Sequence, residues 1–213
     1  MMQVDKFEFN PFGENTYIIW DQTTFDAIVI DPGMSSEKEN QQFDKFIQTK
    51  NLSLKAILLT HIHIDHTFGV DHLKTKCNIP VLANQADDFL GQRRMEQAKM
   101  FHLPFQLSPL SIDRLIDEGE VMRLNNNTIY ALHAPGHSPG SLLYYIPTAE
   151  ILFSGDVLFQ GSIGRTDLPG GNYGQLIASI NTKIAELPPT TRVYPGHGPA
   201  TTIAEELRSN PYF

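Results

Sequence analysis

Residues 56–66 read Ala56-Ile57-Leu58-Leu59-Thr60-His61-Ile62-His63-Ile64-Asp65-His66, an apolar run that passes directly into His-x-His-x-Asp-His. The first five residues have the composition of a short strand buried on both faces. Residues two apart in extended backbone share a face. His61, His63 and Asp65 are therefore expected to project together, with His66 turned aside and Ile62 and Ile64 facing the core. With 8 His and 13 Asp in 213 residues, a shuffled chain would hold this pattern roughly once in 1,500 trials. A chance cluster of surface histidines does not account for the alternation with isoleucine. Imidazole and carboxylate side by side suit zinc and similar ions, so the stretch is a candidate metal site.

Three further places extend it: Pro135-Gly136-His137, Ser154-Gly155-Asp156 and Pro195-Gly196-His197. His137 and His197 each follow Pro-Gly at a strand boundary, a turn that can hold a side chain at a sheet edge. Asp156 follows an apolar strand, and Gly155 permits close backbone approach. Each alone is a common turn or cap residue. Together with the first cluster they make five His and two Asp, enough for two adjacent ions if one carboxylate bridges. Asp156 is the natural bridge. No convincing nucleophile triad is present, since Ser154 and Ser162 read as turn residues.

Outward from these motifs, strands are expected at 4–9, 16–20, 27–30, 81–83, 128–132, 141–146, 151–153 and 192–194. Helices are expected at 35–50, opened by serine, at 175–187, stopped by Pro188-Pro189, and near 202–209. Residues 85–101 read as a polar helix forming a cap or surface insertion. Residues 155–174 are rich in glycine and read as loop. Two β-rich halves with helices outside fit an α/β (α+β) two-layer sandwich better than an alternating doubly wound sheet.

Composition narrows the function. Sixteen Lys+Arg against 24 Asp+Glu give a net charge of −8, which disfavours nucleic acid or an anionic membrane and favours a small-molecule substrate. The single cysteine, Cys77, cannot form an internal disulfide and favours a reducing compartment. The opening residues lack a basic-then-apolar pattern, and no apolar run approaches the ~18 residues of a membrane span. A cytoplasmic protein is expected.

In this order the motifs resemble the metallo-β-lactamase fold superfamily over nearly the whole chain. The resemblance implies an αββα sandwich, one domain over residues 1–213, with metals at one edge. It implies that His61, His63 and His137 hold one ion, that Asp65, His66 and His197 hold the other, and that Asp156 bridges them. Asp65 and Asp156 are the catalytic carboxylates in this scheme, and Asp31 matches an acid that orients the ligands. The run Gly155-Asp156-Val157-Leu158-Phe159, followed by Gly161-Ser162-Ile163-Gly164-Arg165-Thr166-Asp167, is similar to short glyoxalase II-like hydrolases, which cleave hydroxyacyl thioesters such as lactoylglutathione.

By that likeness a hydroxide on two divalent ions, zinc with iron or manganese as alternatives, attacks a thioester. Phe159 packs on the acyl end, and Arg165 either meets an anionic handle of the substrate or pairs with Asp167. Longer members have a C-terminal helical domain and an aromatic residue where this chain has Gly198-Pro199, so tolerance of thioesters beyond lactoylglutathione is expected. Persulfide dioxygenases share the His-x-His-x-Asp-His run but use one iron, which keeps a mono-iron oxidoreductase as the alternative. A non-catalytic metal-binding module is the more distant one.

Overall fold

The structure is a computed structural model describing residues 1–104 and 106–213. The chain divides into two compact units, Met1–Leu115 and Ile116–Phe213, each carrying one six-stranded sheet.

In the first unit β1 (Met2–Phe9), β2 (Glu14–Asp21) and β3 (Asp26–Ile30) run antiparallel. From β3 the sheet becomes parallel, through β4 (Ser53–Leu58), β5 (Val81–Ala83) and β6 (Arg114–Leu115). Parallel neighbours need crossover connections. These are supplied by α1 (Glu37–Lys50), α2 (Val70–Cys77), and the pair α3 (Asp88–Gln92) and α4 (Arg94–Met100). Ser36 caps α1 in a capping box with Glu39, satisfying two otherwise orphaned amides. The helix buries Phe43 in a core that includes Ile18, Val29, Ile57, Ile62 and Leu73.

The parallel pairing places the first half of the chemistry. Ile30 of β3 pairs with Leu58 of β4, so Asp31 and Thr60 leave the sheet at the same edge. Ligands commonly gather beyond the carboxyl ends of parallel strands.

In the second unit β7 (Val121–Leu124), β8 (Asn127–His133), β9 (Leu142–Ile146) and β10 (Ile151–Gly155) form an antiparallel meander. Strand β13 (Arg192–Pro195) lies parallel to β10. It is reached through α5 (Tyr173–Ser179) and a π turn at Ile180–Ile184. Strand β14 (Thr201–Thr202) and α6 (Ile203–Ser209) close the unit. Its core is built from Leu143, Leu152, Val193, Leu176, Ile180 and Ile203 among others. Gly155 aligns with Pro195 and accepts the Gly196 amide at 2.8 Å, so Asp156 and His197 also leave a common edge.

Several local expectations are corrected. The strand before the histidines ends at Leu58, not Thr60. The glycine-rich segment is not all loop: β11 (Leu158–Phe159) and β12 (Ser162–Ile163) form a two-rung hairpin, and Ser154 is a buried strand residue whose Oγ donates to the Leu158 carbonyl at 2.8 Å. Residues 85–101 are not a surface insertion, because Asp87, Leu90, Arg94, Gln97 and Ala98 are buried. Strands β6 and β7 were not anticipated. Two residues are too few to show a pattern, and β7 alternates with its exposed face apolar at Val121.

Candidate metal centre

The seven candidate ligands divide between the units, with His61, His63, Asp65 and His66 in the first and His137, Asp156 and His197 in the second. In the first unit the extended backbone lasts only to His63, and Ile64–His66 is a 3₁₀ turn closed by the His66 amide on the His63 carbonyl at 3.2 Å. His66 therefore does not turn aside. Its ring lies 4.1 Å from that of His61, and the rings of His61 and His63 meet edge to face at 4.8 Å. Ile62 and Ile64 are buried as expected.

Asp31 orders these rings. The Thr60 amide donates to Asp31 Oδ1 at 2.7 Å and the Thr60 hydroxyl to Oδ2 at 2.6 Å. With its proton committed there, Thr60 Oγ1 accepts from His61 Nδ1 at 3.0 Å. His66 Nδ1 donates directly to Asp31 Oδ2 at 3.0 Å. One carboxylate thus sets two imidazoles, each with Nδ1 protonated and the Nε2 lone pair left for a ligand. Donor atoms of Asp31, His61 and His66 lie within 4.8 Å of one another. We assign Asp31 to orientation and not to ligation, because its oxygens are occupied by these three donors. Asp31 adopts φ 49°, a left-handed conformation costing a non-glycine residue about 1–2 kcal/mol, of the kind functional sites retain.

Side chains from elsewhere in the unit clamp the backbone of this loop. Asp87 Oδ2 accepts the Ile62 amide at 3.2 Å, and Gln97 Oε1 accepts the Ile64 amide at 3.0 Å. Asn10 Nδ2 donates to the Asp65 carbonyl at 3.0 Å, and Arg94 to the Thr67 carbonyl at 2.8 Å. Burial pushes the Arg94 guanidinium below its ordinary value, while Asp71 pulls it back. The sequence reading missed all four.

It also missed Glu14, fully buried with Oε1 4.0 Å from His66 Nδ1. Burial pushes Glu14 well above the usual carboxylate range, against the opposing pull of His66. Every residue of β2 is buried, so no alternation along the strand marks Glu14 out.

In the second unit His137 Nδ1 donates to the Arg165 carbonyl at 2.8 Å, which puts the lone pair on Nε2. His137 Nε2 and His197 Nε2 each lie 3.6 Å from the same oxygen, Asp156 Oδ2. Gly164 makes this packing possible, since a Cβ there would collide with the Asp156 carbonyl oxygen. The Phe159 ring stands edge-on to His197 at 6.2 Å. The Arg165 guanidinium is held by Asp167 at 2.6 and 2.7 Å, which holds the Asp167 carboxyl down at about 2. The Arg165 backbone therefore serves His137 while its side chain forms the ion pair.

The donor set fits divalent ions. Two ligands bound at 2.0–2.2 Å in tetrahedral geometry sit about 3.4 Å apart. The separations here are 3.7 Å for His66 Nε2 to Asp65 Oδ2 and 3.6 Å for both histidines of the second unit to Asp156. These are too long for good hydrogen bonds and close to the spacing of ligands sharing an ion.

The remaining histidines lie apart from this set. His133 donates through Nε2 to the Pro139 carbonyl at 2.8 Å, and the half-buried His72 meets Asp44 through Nε2 at 3.1 Å. His102 is exposed, and Cys77 is half-buried.

Known proteins resemble this chain in sequence and fold. The model of the metallo-beta-lactamase superfamily matches residues 9–197. Hydroxyacylglutathione hydrolase GloC of Haemophilus influenzae is 38% identical over 99% of this chain and 98% of its own. Among solved structures, TTHA1623 in a di-iron-bound form superposes with a TM-score of 0.86 at 40% identity, over 98% of this chain and 100% of its own. The BLEG-1 B3 metallo-beta-lactamase gives 0.86 at 34%, over 99% of both chains. The α/β fold, the His/Asp groups suited to divalent metal and the family match converge: this chain belongs to the metallo-beta-lactamase superfamily, whose metallo-hydrolase relatives match it over nearly its full length.

Proposed function

We propose that the protein is a cytoplasmic hydrolase that cleaves small-molecule thioesters of the hydroxyacyl-glutathione kind at a binuclear metal centre within a single domain. His61, His63 and His137 hold one ion, Asp65, His66 and His197 the other, and Asp156 joins the two. The observation that carries the binuclear part is the approach of two histidine nitrogens to one oxygen of Asp156, each at 3.6 Å. Bound there, two divalent ions would supply water activation at neutral pH and polarisation of an ester carbonyl. Zinc suits the donors, and a di-iron-bound neighbour at 40% identity supports iron as a second occupant.

This chain's own residues prepare that site. Asp31 fixes the tautomers of His61 and His66, and the Arg165 carbonyl fixes that of His137. Phe159, edge-on to His197, forms an apolar wall for the acyl group. Arg165, exposed on the same segment, is positioned to exchange Asp167 for an anionic thiol carrier. The 38% identity to a hydroxyacylglutathione hydrolase supports the thioester as substrate.

The similarity to a B3 metallo-beta-lactamase at 34% identity makes β-lactams a second substrate class to test. One metal-loaded preparation is offered lactoylglutathione, other thioesters, lactones, β-lactams and persulfides. Thioester hydrolysis above the metal-free background is expected. Turnover of β-lactams alone, or persulfide oxidation with oxygen uptake and no thioester cleavage, would contradict the proposal.

A further inference from the structure

The hairpin of β11 and β12 has only two rungs, Leu158 with Ile163 and Phe159 with Ser162. Its turn is Gln160-Gly161, with Gly161 at φ 66°. A hairpin this short does not hold its own shape in water, yet it carries Phe159. Its support comes from two buried residues at the far end of the same unit. Glu206, fully buried in α6, accepts the Gly161 amide on Oε2 at 2.8 Å, Asn210 Nδ2 on the same oxygen at 2.8 Å, and the Thr201 hydroxyl on Oε1 at 2.6 Å. Asn210, directly after the helix, donates through Nδ2 to the Ser162 carbonyl at 3.1 Å, with the Phe159 carbonyl at 3.5 Å. Both strands and the turn are therefore tied to one helix end.

We infer that Glu206 and Asn210 are positioning residues for the substrate wall: they set the hairpin and thereby the place of Phe159 beside His197, which makes α6 a determinant of acyl selectivity. The inference rests on the proposed role of Phe159. Neither residue touches a candidate ligand, so the clamp should act on substrate recognition and leave metal uptake alone. Thr202 caps α6 at its other end through the Glu205 amide, so the buried Glu206 carboxylate is not a helix cap; its three donors are the hairpin turn, Asn210 and Thr201. A helix needing only a hydrophobic anchor would bury an apolar residue there at less desolvation cost.

The test compares Glu206→Ala, Asn210→Ala and Glu206→Gln with the wild type in their metal-loaded forms. In Glu206→Gln the amide oxygen can replace Oε2 and the amide nitrogen can donate to Thr201 Oγ1, so this variant should rescue. Both alanine variants should raise KM at least fivefold for the best thioester, with kcat changed less than twofold and metal content unchanged. Glu206→Ala should add nothing further on a Phe159→Ala background, because coupled residues are not additive. Unchanged KM in both alanine variants, loss of metal, or full additivity with Phe159→Ala would overturn the clamp. If Glu206→Ala does not fold, Asn210→Ala decides alone, since it keeps Glu206 and removes the Nδ2 donors together with the acceptor of the Tyr212 amide.

Absence of any thioester turnover in the wild type would sink the thioester proposal separately. The clamp is then judged by amide hydrogen exchange at residues 158–163, which should quicken at least tenfold in Asn210→Ala. Unchanged protection there would overturn it.

Discussion

Asp31 shows how one side chain can orient several candidate ligands. It takes no place in the proposed coordination sphere, yet it holds His66 directly and His61 through Thr60. Removing an orienting partner of this kind costs about 10–100-fold in metal affinity. Asp31→Ala should therefore weaken metal binding by that factor in a competition titration with a chelator, while Asp31→Asn, which keeps an acceptor, should fall between it and the wild type. Arg165 separates differently, because its carbonyl and its guanidinium do different work. Arg165→Ala keeps the carbonyl, so metal content should stay constant and KM for acidic thiol carriers should rise with kcat nearly unchanged in steady-state assays.

The same pair sets a pH signature. The Arg165 hydrogen bond lowers Asp167 to about 2 in the folded chain, against about 3.9 in an unfolded one. A lowered carboxylate stabilises the fold above its unfolded value and loses that effect as pH falls through the folded one. Any stability difference between wild type and Asp167→Asn should be present at pH 6 and vanish between about pH 4 and 2 in thermal melts. The pair is exposed, so the difference should be small.

At the level of elements, the candidate ligands stand out in the sequence and the side chains that support them do not. His-x-His-x-Asp-His announces itself because the donors are close in sequence and rare by chance. Gln97 and Asp87 act on amides 33 and 25 residues away. Nothing in a polar run such as 85–101 distinguishes a solvated face from side chains buried against a distant backbone. Polarity was read as exposure, and the partners that reverse it lie in the ligand loop. The bend at Ile64–His66 escaped for a related reason, since alternation fits a strand until Asn10 and Gln97 hold the chain in a turn.

Gln97→Ala leaves the buried Ile64 amide without its acceptor, which costs about 1–3 kcal/mol. Urea unfolding of the metal-free protein should show a loss of that size. The loaded protein should also bind metal more weakly, because the loop carrying His63, Asp65 and His66 is no longer fixed. Unaltered stability and affinity would mean that α4 merely covers the loop.

At the scale of the whole molecule, the longer strands and most of the helices were readable, because apolar runs separated by turn residues persist through both units, whereas α2, β6, β7, β11 and β12 were not. The serine opening residues 35–50 and the stop at Pro188-Pro189 marked helix ends from local chemistry alone. Strand pairing was not readable in detail. Parallel neighbours such as β3 with β4, or β10 with β13, join residues far apart in sequence, and these pairings bring Asp31 to Thr60 and Asp156 to His197 at shared sheet edges. No helix among the described residues is long and apolar enough to cross a membrane.

The central proposal is that two ions share one carboxylate, Asp156. Metal content by mass spectrometry on protein purified with excess zinc, alongside Asp156→Ala, tests it most directly. The wild type should carry close to two ions per chain, and Asp156→Ala should lose at least one while remaining folded. A fully active wild type holding a single ion, with Asp156→Ala retaining it, would contradict the binuclear centre.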